Sequence, residues 1–397
     1  MPAVAAVRAV LLTAPYADPE NLEVRVALPT GHRTTGLVEI TLDDGTTGLG
    51  EAYLAVFAPH VFTSIVDLLA PYLVGHDADD IAARYRDLVL VSGYWSLQGA
   101  ARHVVAAMET ALVDAAAKRA GVPAHALLGP APYDDIALYA SGGDSMTPAT
   151  MRAELDAVQA RGIETFKIRA RAYEADKAVW TLEEGRRRGV GIAVDMAQNL
   201  ADPGQSVEET LGFLDRVGSG TDVPVRFLEE ALGPARADGY PQLRKGTEVD
   251  VAGGEIVTTA RELQDRVRAG WYDIVQPDVT VVGGLRQTLD VFATAREHDV
   301  RAVVHCWGSA VCQAANYHAA FAGGGTMAEW PLPSYPLRDA LLVEPFRVEH
   351  GRLRRPEAPG LGVVLDDETE RRYAFRPDAV YRCLAPLPQP VPGVWRD

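Results

Sequence analysis

The chain of 397 residues has only three cysteines, Cys306, Cys312 and Cys383, an odd number without metal-type CxxC spacing. That excludes a disulfide framework or a zinc ribbon as the organising device, and free thiols suit a reducing compartment. Basic residues are also scarce, 38 Lys and Arg against 54 Asp and Glu, for a net charge of −16. Such a balance argues against a nucleic-acid surface and against anionic membranes. It does not constrain a small substrate, because local charge can oppose the global sign. No run reaches the roughly 18 apolar residues of a membrane span. The N-terminal stretch is partly apolar, but Asp18 and Glu20 come early and no small-residue cleavage site follows. A phosphate-type glycine loop is missing too, since Gly283-Gly284 lacks the spacing of a dinucleotide fingerprint. The expectation left is a soluble, cytoplasmic chain with no nucleic-acid or membrane partner. With 48% hydrophobic and 23% charged residues, it should bury a sizeable core. Its length fits two domains, or one barrel carrying an extra domain.

Two rhythms divide the sequence. In the first, Asp44-Gly45 inside TTGLVEITLDDGTTGLGEAYL (34–54) is a hairpin signal flanked by alternating β-branched residues. The runs 6–12 and 22–28 read as partner strands. Helical periodicity follows over 59–73 and 99–120, and Gly121-Val122-Pro123 stops the second helix. This part, 1–130, reads as an α+β domain. From about Ile136 strands and helices alternate regularly. Candidate strands are 136–142, 165–170, 191–196, 225–230, 249–255, 273–279, 300–306 and 327–330. Eight strands alternating with helices favour an α/β fold of the (β/α)8 type, a TIM-like barrel over 131–360. The Pro-rich tail, 361–397, is expected to return to the N-terminal domain.

Barrel interiors are normally filled with branched apolar side chains, so polar residues at strand ends are the informative ones. Asp195, Glu229 and Glu255 each end a short apolar run, at intervals of 34 and 26 residues, about one strand-helix-strand step. A parallel barrel gathers its strand ends on one face, and three carboxylates there make the hard oxygen ligand set that Mg²⁺ prefers. Glu230 competes with Glu229 for that role but points the other way. Lys167 and Arg169 alternate with Phe166 and Ile168, so both cations face one side and need anions there. Asp278, His305 and Glu329 end the last three strands. A carboxylate beside an imidazole fixes its tautomer and raises its basicity.

The run of motifs FKIRA, VDMAQN, FLEEA, AGGE, QPDVTVVGG, VVHC and AEWP resembles the enolase superfamily, and within it the mandelate racemase subgroup. The likeness covers about residues 160–331, and the N-terminal part fits that family's capping domain. The resemblance implies Mg²⁺ held by Asp195, Glu229 and Glu255 and binding the carboxylate of a small-molecule substrate. It further implies a proton removed next to that carboxylate, His305 oriented by Asp278 as acid and base, and a protonated Glu329 bonded to the carboxylate oxygen that gains charge. A symmetric homo-oligomer is expected on the same ground.

Arg169 departs from the family's two-base racemases, which carry Lys at this position. A guanidinium stays protonated and makes a poor base. The favoured expectation is therefore a dehydratase of a hydroxylated acid, an acid sugar, worked by the one dyad His305–Asp278, with Lys167 and Arg169 holding the substrate carboxylate or stabilising charge. An epimerase or racemase stays open should Lys167 have a depressed pKa, as do a cycloisomerase and a barrel that binds metal and ligand without turnover. Asn199 and Gln198 follow the first metal ligand and fit supporting roles. In the cap, Tyr53, Phe57, His60, Tyr94 and Trp95 are candidates to close over the barrel mouth, with Tyr53, Tyr94, Trp95 and Asn199 taken as substrate contacts.

Overall fold

The computed structural model describes residues 2–16, 26–28, 30–382 and 393–395. Cys383 lies outside them. The first sheet is antiparallel: β1 (Val4–Pro15), β2 (His32–Leu42) and β3 (Thr47–Glu51). Asp44 shapes the β2–β3 turn by accepting from the Thr46 amide at 2.9 Å. β1 pairs with β2 along its length, from Val4–Leu42 to Pro15–His32. The expected strand over 22–28 is therefore corrected: 26–27 form a helical turn, and 22–25 lie outside the described residues. The tail takes the free edge of β1, through a bridge between Leu12 and Ala374 and a bond from the Thr13 amide to the Tyr373 carbonyl at 2.7 Å.

Helix Ala100–Ala120 packs across this sheet and is buried on almost every side. Small alanine side chains allow that close approach. At Gly50 of β3 even a methyl group is excluded, since a Cβ there would sit 1.9 Å from the Ala107 carbonyl oxygen. The helix ends as expected at Gly121, whose φ of 67° lets the Val122 amide reach back to the Ala117 carbonyl.

The second sheet supplies the eight expected strands: β4 (Asp135–Gly142), β5 (Thr165–Arg169), β6 (Gly191–Asp195), β7 (Leu228–Glu229), β8 (Val251–Gly253), β9 (Ile274–Val275), β10 (Arg301–Ala302) and β11 (Met327–Pro331). β4 to β10 pair in sequence order and in parallel, and β11 pairs with β4. Between the β10 segment and β11 the ladder is reduced to one bridge, Val304–Ala328, so the sheet curls back on itself with little bonding at that seam. Tyr139, Ala193, Phe227, Ala252, Ile274 and Val303 meet on the inner side, although they come from strands far apart in the ladder. On the outer side, Phe166 and Ile168 are fully buried against the helices, each contributing roughly 1.5–3 kcal/mol. A hairpin of β12 (Val348–Glu349) and β13 (Arg352–Arg354) joins the start of β4.

Two carboxylates clamp the units together. Glu51 accepts from the amides of Ser309 and Cys312 at the start of helix Ala310–Gly323, with 3.0 Å to Cys312. Glu109 accepts from the Leu285 amide at 2.8 Å, at the start of helix Leu285–Glu297. Each sits where a helix dipole favours negative charge. No helix among the described residues is long and apolar enough to cross a membrane.

Candidate active site

A cavity of about 1080 Å³ opens at the C-terminal ends of the parallel strands, roofed by residues of the first unit and the tail. Lys167, Arg169, Asp195, Glu255, His305 and Glu329 all line it. Glu229 and Asp278 are fully buried just behind the wall. The polar residues read from the strand ends thus come together, as the alternation along β5 requires: Phe166 and Ile168 face the helices, Lys167 and Arg169 the cavity.

Asp278 organises the base. Its Oδ1 accepts from the Thr280 amide at 2.8 Å, the Thr280 hydroxyl at 2.7 Å and Asn316 Nδ2 at 3.0 Å. Its Oδ2 accepts from His305 Nδ1 at 2.8 Å. With three donors on one oxygen, the carboxylate cannot rotate, and the imidazole presents Nε2 to the cavity. Burial disfavours a charged His305, but Glu255, Glu329 and Asp278 outweigh it and raise its pKa well above the ordinary range. Glu255 Oε2 lies 3.3 Å from Nε2.

Lys167 is enclosed by anions. It pairs closely with Glu229 and, at 3.0 Å, with Glu329, over the Tyr139 ring. Burial disfavours its charge, yet the two carboxylates win and hold it protonated far above the usual lysine range. Its neighbours therefore act opposite to the depression that a lysine base requires. Arg169 stacks 4.9 Å from the Trp307 ring, with Asp195 at 3.7 Å and Asp144 at 3.9 Å.

Glu329 lies between two cations. Burial pushes its pKa up, but Lys167 and His305 more than reverse this, to about 2, and its Oε2 accepts from the Cys306 amide at 2.6 Å. These two cations favour the anion at Glu329, which pairs with Lys167 at 3.0 Å.

The three candidate metal ligands occupy successive strand ends. Asp195 accepts from the Ala197 amide at 2.7 Å. Glu229 also receives Gln276 Nε2 at 2.5 Å, and Glu255 receives Asn199 Nδ2. Burial raises Glu229 to about 8; Lys167 opposes, and Asp195, Glu329 and Glu255 add to the rise. Among the described residues, no three His, Cys, Asp or Glu side chains converge closely enough to hold an ion. In this arrangement Glu229 turns to Lys167 and Glu255 to His305. The donor set nonetheless fits a hard divalent cation: all oxygen, anionic, and crowded enough that the carboxylates raise one another's pKa. Glu230 points away, accepting from the Gly254 amide at 2.6 Å.

Of the cap candidates, Tyr53 and Phe57 line the cavity, and the Tyr53 ring meets His305 edge-on at 6.4 Å. Tyr94 and Trp95 do not. They end helix Ile81–Gly93 with Tyr94 fully exposed, and Trp95 Nε1 is occupied by the Val91 carbonyl. The segment after them is drawn outward by Gln98 to Glu262 at 2.7 Å and by the Gly99 amide to Thr258 at 2.8 Å. The structure therefore places neither Tyr94 nor Trp95 where a substrate in the cavity would touch it, contrary to expectation. His60 meets Phe375 edge-on at 5.8 Å and does not line the cavity.

Sequence reasoning overlooked Gln276, Asn316, Trp307 and Arg33. Gln276 lies two residues before Asp278, so period two carried a signal. Asn316 sits in the Ala-rich helix Ala310–Gly323, whose pattern signals only packing, yet it donates to Asp278. Arg33, from β2, donates to the Trp307 carbonyl, a contact between distant segments with no local signature.

Residues 13–129 match the family model for the mandelate racemase / muconate lactonizing enzyme N-terminal domain, and residues 150–369 the model for enolase C-terminal domain-like proteins. The chain is 29% identical over 347 residues to a D-galactonate dehydratase of Ralstonia nicotianae, covering 83% of this chain and 88% of the relative. It is 28% identical over 347 residues to a D-galactarolactone cycloisomerase of Agrobacterium fabrum, with the same coverage. A solved structure of an enolase superfamily member from Agrobacterium tumefaciens superimposes with a TM-score of 0.82 at 26% identity, covering 93% of this chain and 98% of that one. With both parts matched in order and the dyad and carboxylates in place, the chain is an enzyme of the enolase superfamily, in its mandelate racemase subgroup.

Proposed function

We propose that this enzyme is a Mg²⁺-dependent hydro-lyase that removes water from a six-carbon acid sugar. The second sheet then acts as a (β/α)8 barrel whose mouth is capped by the first unit. The observation that carries the reading is a single buttressed imidazole: His305 is held by Asp278 at 2.8 Å, while the β5 cations are a guanidinium stacked on Trp307 and a lysine paired with two carboxylates. One base suits elimination, whereas inversion at carbon needs a second. The dehydratase relative supports the substrate class.

Asp195, Glu229 and Glu255 would hold the metal, once Glu229 and Glu255 turn from their present partners. When bound, Mg²⁺ supplies a Lewis acid beside the substrate carboxylate, which makes its neighbouring proton removable. Lys167 and Arg169 hold that carboxylate and oppose its growing negative charge. His305 Nε2 takes the proton from the adjacent carbon, and Asp278 stabilises the resulting imidazolium. The electron pair left by that C–H bond forms a C=C bond and expels the neighbouring hydroxyl. His305 returns the proton to the departing oxygen, so water leaves. The enol then takes up a proton at carbon, gives up its hydroxyl proton to solvent and becomes a 2-keto-3-deoxy acid. Walls of Trp307, Tyr53, Phe57 and Ile256 limit water at the reacting carbons.

The test is a panel of aldonates and aldarates incubated with the Mg²⁺-loaded protein, assayed for 2-keto acid in ordinary and deuterated water. Keto-acid formation with one solvent deuteron at the new methylene supports the proposal. Deuterium incorporation with inversion and no water loss would replace it with an epimerase. Isomerisation of a lactone without water loss, the activity of the Agrobacterium fabrum relative, would place it among the cycloisomerases. Sedimentation of the loaded enzyme reads the proposed homo-oligomer directly.

A further inference from the structure

The backbone just after His305 is held residue by residue, each time by a charged side chain. The Cys306 amide donates to Glu329 Oε2 at 2.6 Å, and the Trp307 carbonyl accepts from Arg33 Nη1. The Gly308 carbonyl accepts from Arg338 Nε at 3.0 Å, and the Ser309 amide donates to Glu51 Oε2 at 3.1 Å. Two of these clamps, Arg33 on β2 and Glu51 at the end of β3, belong to the first unit. The fit is tight as well as bonded, since a Cβ at Gly308 would lie 2.6 Å from Glu51 Oε1. All four charged side chains are buried, where a hydrogen bond to a charged group is at its strongest.

This loop carries one large side chain, Trp307. Its indole lines the cavity and lies 4.9 Å from the Arg169 guanidinium. A guanidinium grips a carboxylate through a planar fork, so the plane in which it is held decides whether both donors engage. A flat ring stacked against it sets that plane. The ring lies where its own backbone puts it, and the bond to the carbonyl of residue 307 comes from Arg33. Arg33 is itself kept in place by Tyr16, Tyr53 and Tyr335, whose ring centres are 5.5, 5.4 and 5.7 Å from its Cζ. Arg33 borders the cavity, but Nη1 is spent on the carbonyl and Nη2 is buried, so its effect on a substrate passes through the loop. We propose that Arg33 is a positioning residue for the anion site of the barrel: from the first unit it fixes Trp307, and Trp307 fixes the direction of Arg169. The inference rests on the reading of Arg169 as a holder of the substrate carboxylate and deepens it.

The experiment follows Trp307 by spectroscopy and by turnover. The full chain, with its six tryptophans replaced by 5-fluorotryptophan, is read by ¹⁹F resonance, and the Trp307 line is the one lost in Trp307→Phe. In Arg33→Met that line moves by more than its own width, and it moves in Arg169→Lys as well. In parallel, kcat/KM of the Mg²⁺-loaded protein is measured on the aldonate and aldarate panel in wild type, Arg33→Met, Trp307→Leu and the double variant, with Mg²⁺ affinity by calorimetry. The expected result is a fall of tenfold or more in kcat/KM for the best acid in Arg33→Met, with Mg²⁺ affinity kept within twofold. In the Trp307→Leu background the same change costs less than threefold, because residues that act through one another are not additive. Arg33→Lys keeps a cation among the rings on a shorter arm and serves where Arg33→Met does not fold; the Trp307 line is expected to move in it too. A stationary Trp307 line, a smaller loss of kcat/KM, an equal loss in the Trp307→Leu background, or a matching fall in Mg²⁺ affinity overturns the assignment. Should no panel acid react, the acid-sugar reading falls, and the Trp307 line alone decides whether Arg33 sets that ring.

Discussion

Asp278→Asn changes one atom and tests the dyad at its root. The three donors on Oδ1 must keep an acceptor, so the new amide has to leave its carbonyl oxygen toward Thr280 and Asn316. Its NH₂ then faces His305 Nδ1, where a donor meets what was a donor. The imidazole answers by moving its hydrogen to Nε2, the atom that must receive the substrate proton. Geometry survives and basicity does not. In a comparable carboxylate–imidazole pair this tautomer change costs about 10⁴ in rate, or roughly 5.4 kcal/mol at about 1.36 kcal/mol per decade. The assay is kcat and kcat/KM on the best panel acid, with Mg²⁺ affinity and thermal midpoint measured alongside. Expected are a fall in kcat of about 10³–10⁴, unchanged metal binding and a midpoint within a few degrees of wild type. Activity within tenfold of wild type would refute the claim that His305 works through this carboxylate.

Glu255→Gln should weaken Mg²⁺ binding tenfold or more by titration calorimetry, and unaltered affinity would remove Glu255 from the ligand set. Glu109 is fully buried, and burial lifts its pKa to about 7 against an ordinary 4.5. A raised folded pKa means stability that is full below about 4.5 and lost as pH climbs through 7, on the order of 3 kcal/mol for this one group. Glu109→Gln should therefore flatten the fall in thermal midpoint between pH 5 and 8, and an identical profile would dismiss Glu109 as its source. Gly50→Ala drives a methyl into the Ala107 carbonyl and should cost about 3 kcal/mol or more, read as the midpoint of denaturant unfolding; a neutral change would mean the helix can slide off the sheet.

Much of the barrel and its chemistry could be read from local pattern. Each strand carries its own apolar run and its own terminal polar residue, so the order Lys167, Asp195, Glu229, Glu255, Asp278, His305, Glu329 needs no knowledge of distant contacts. What failed depends on partners far along the chain. Nothing within 22–28 reveals that β1 already has β2 on one edge and the tail on the other. Tyr94 and Trp95 look like lid residues until Gln98 and Gly99 are seen bonded to Glu262 and Thr258, which pull their loop off the mouth. The charge state of Glu329 has no local signature, because it is set by Lys167, six strands earlier in sequence and 3.0 Å away in space.

The tail makes the entrance a late event in the life of each molecule. Tyr381 and Arg382 border the cavity, and their amides bond to the carbonyls of Val56 and Ala27, more than three hundred residues upstream. A ribosome must therefore emit the chain through residue 382 before the doorway exists, although every acid and base behind it has already been translated. The exposed turn around Asp44-Gly45 offers a remote place for a label.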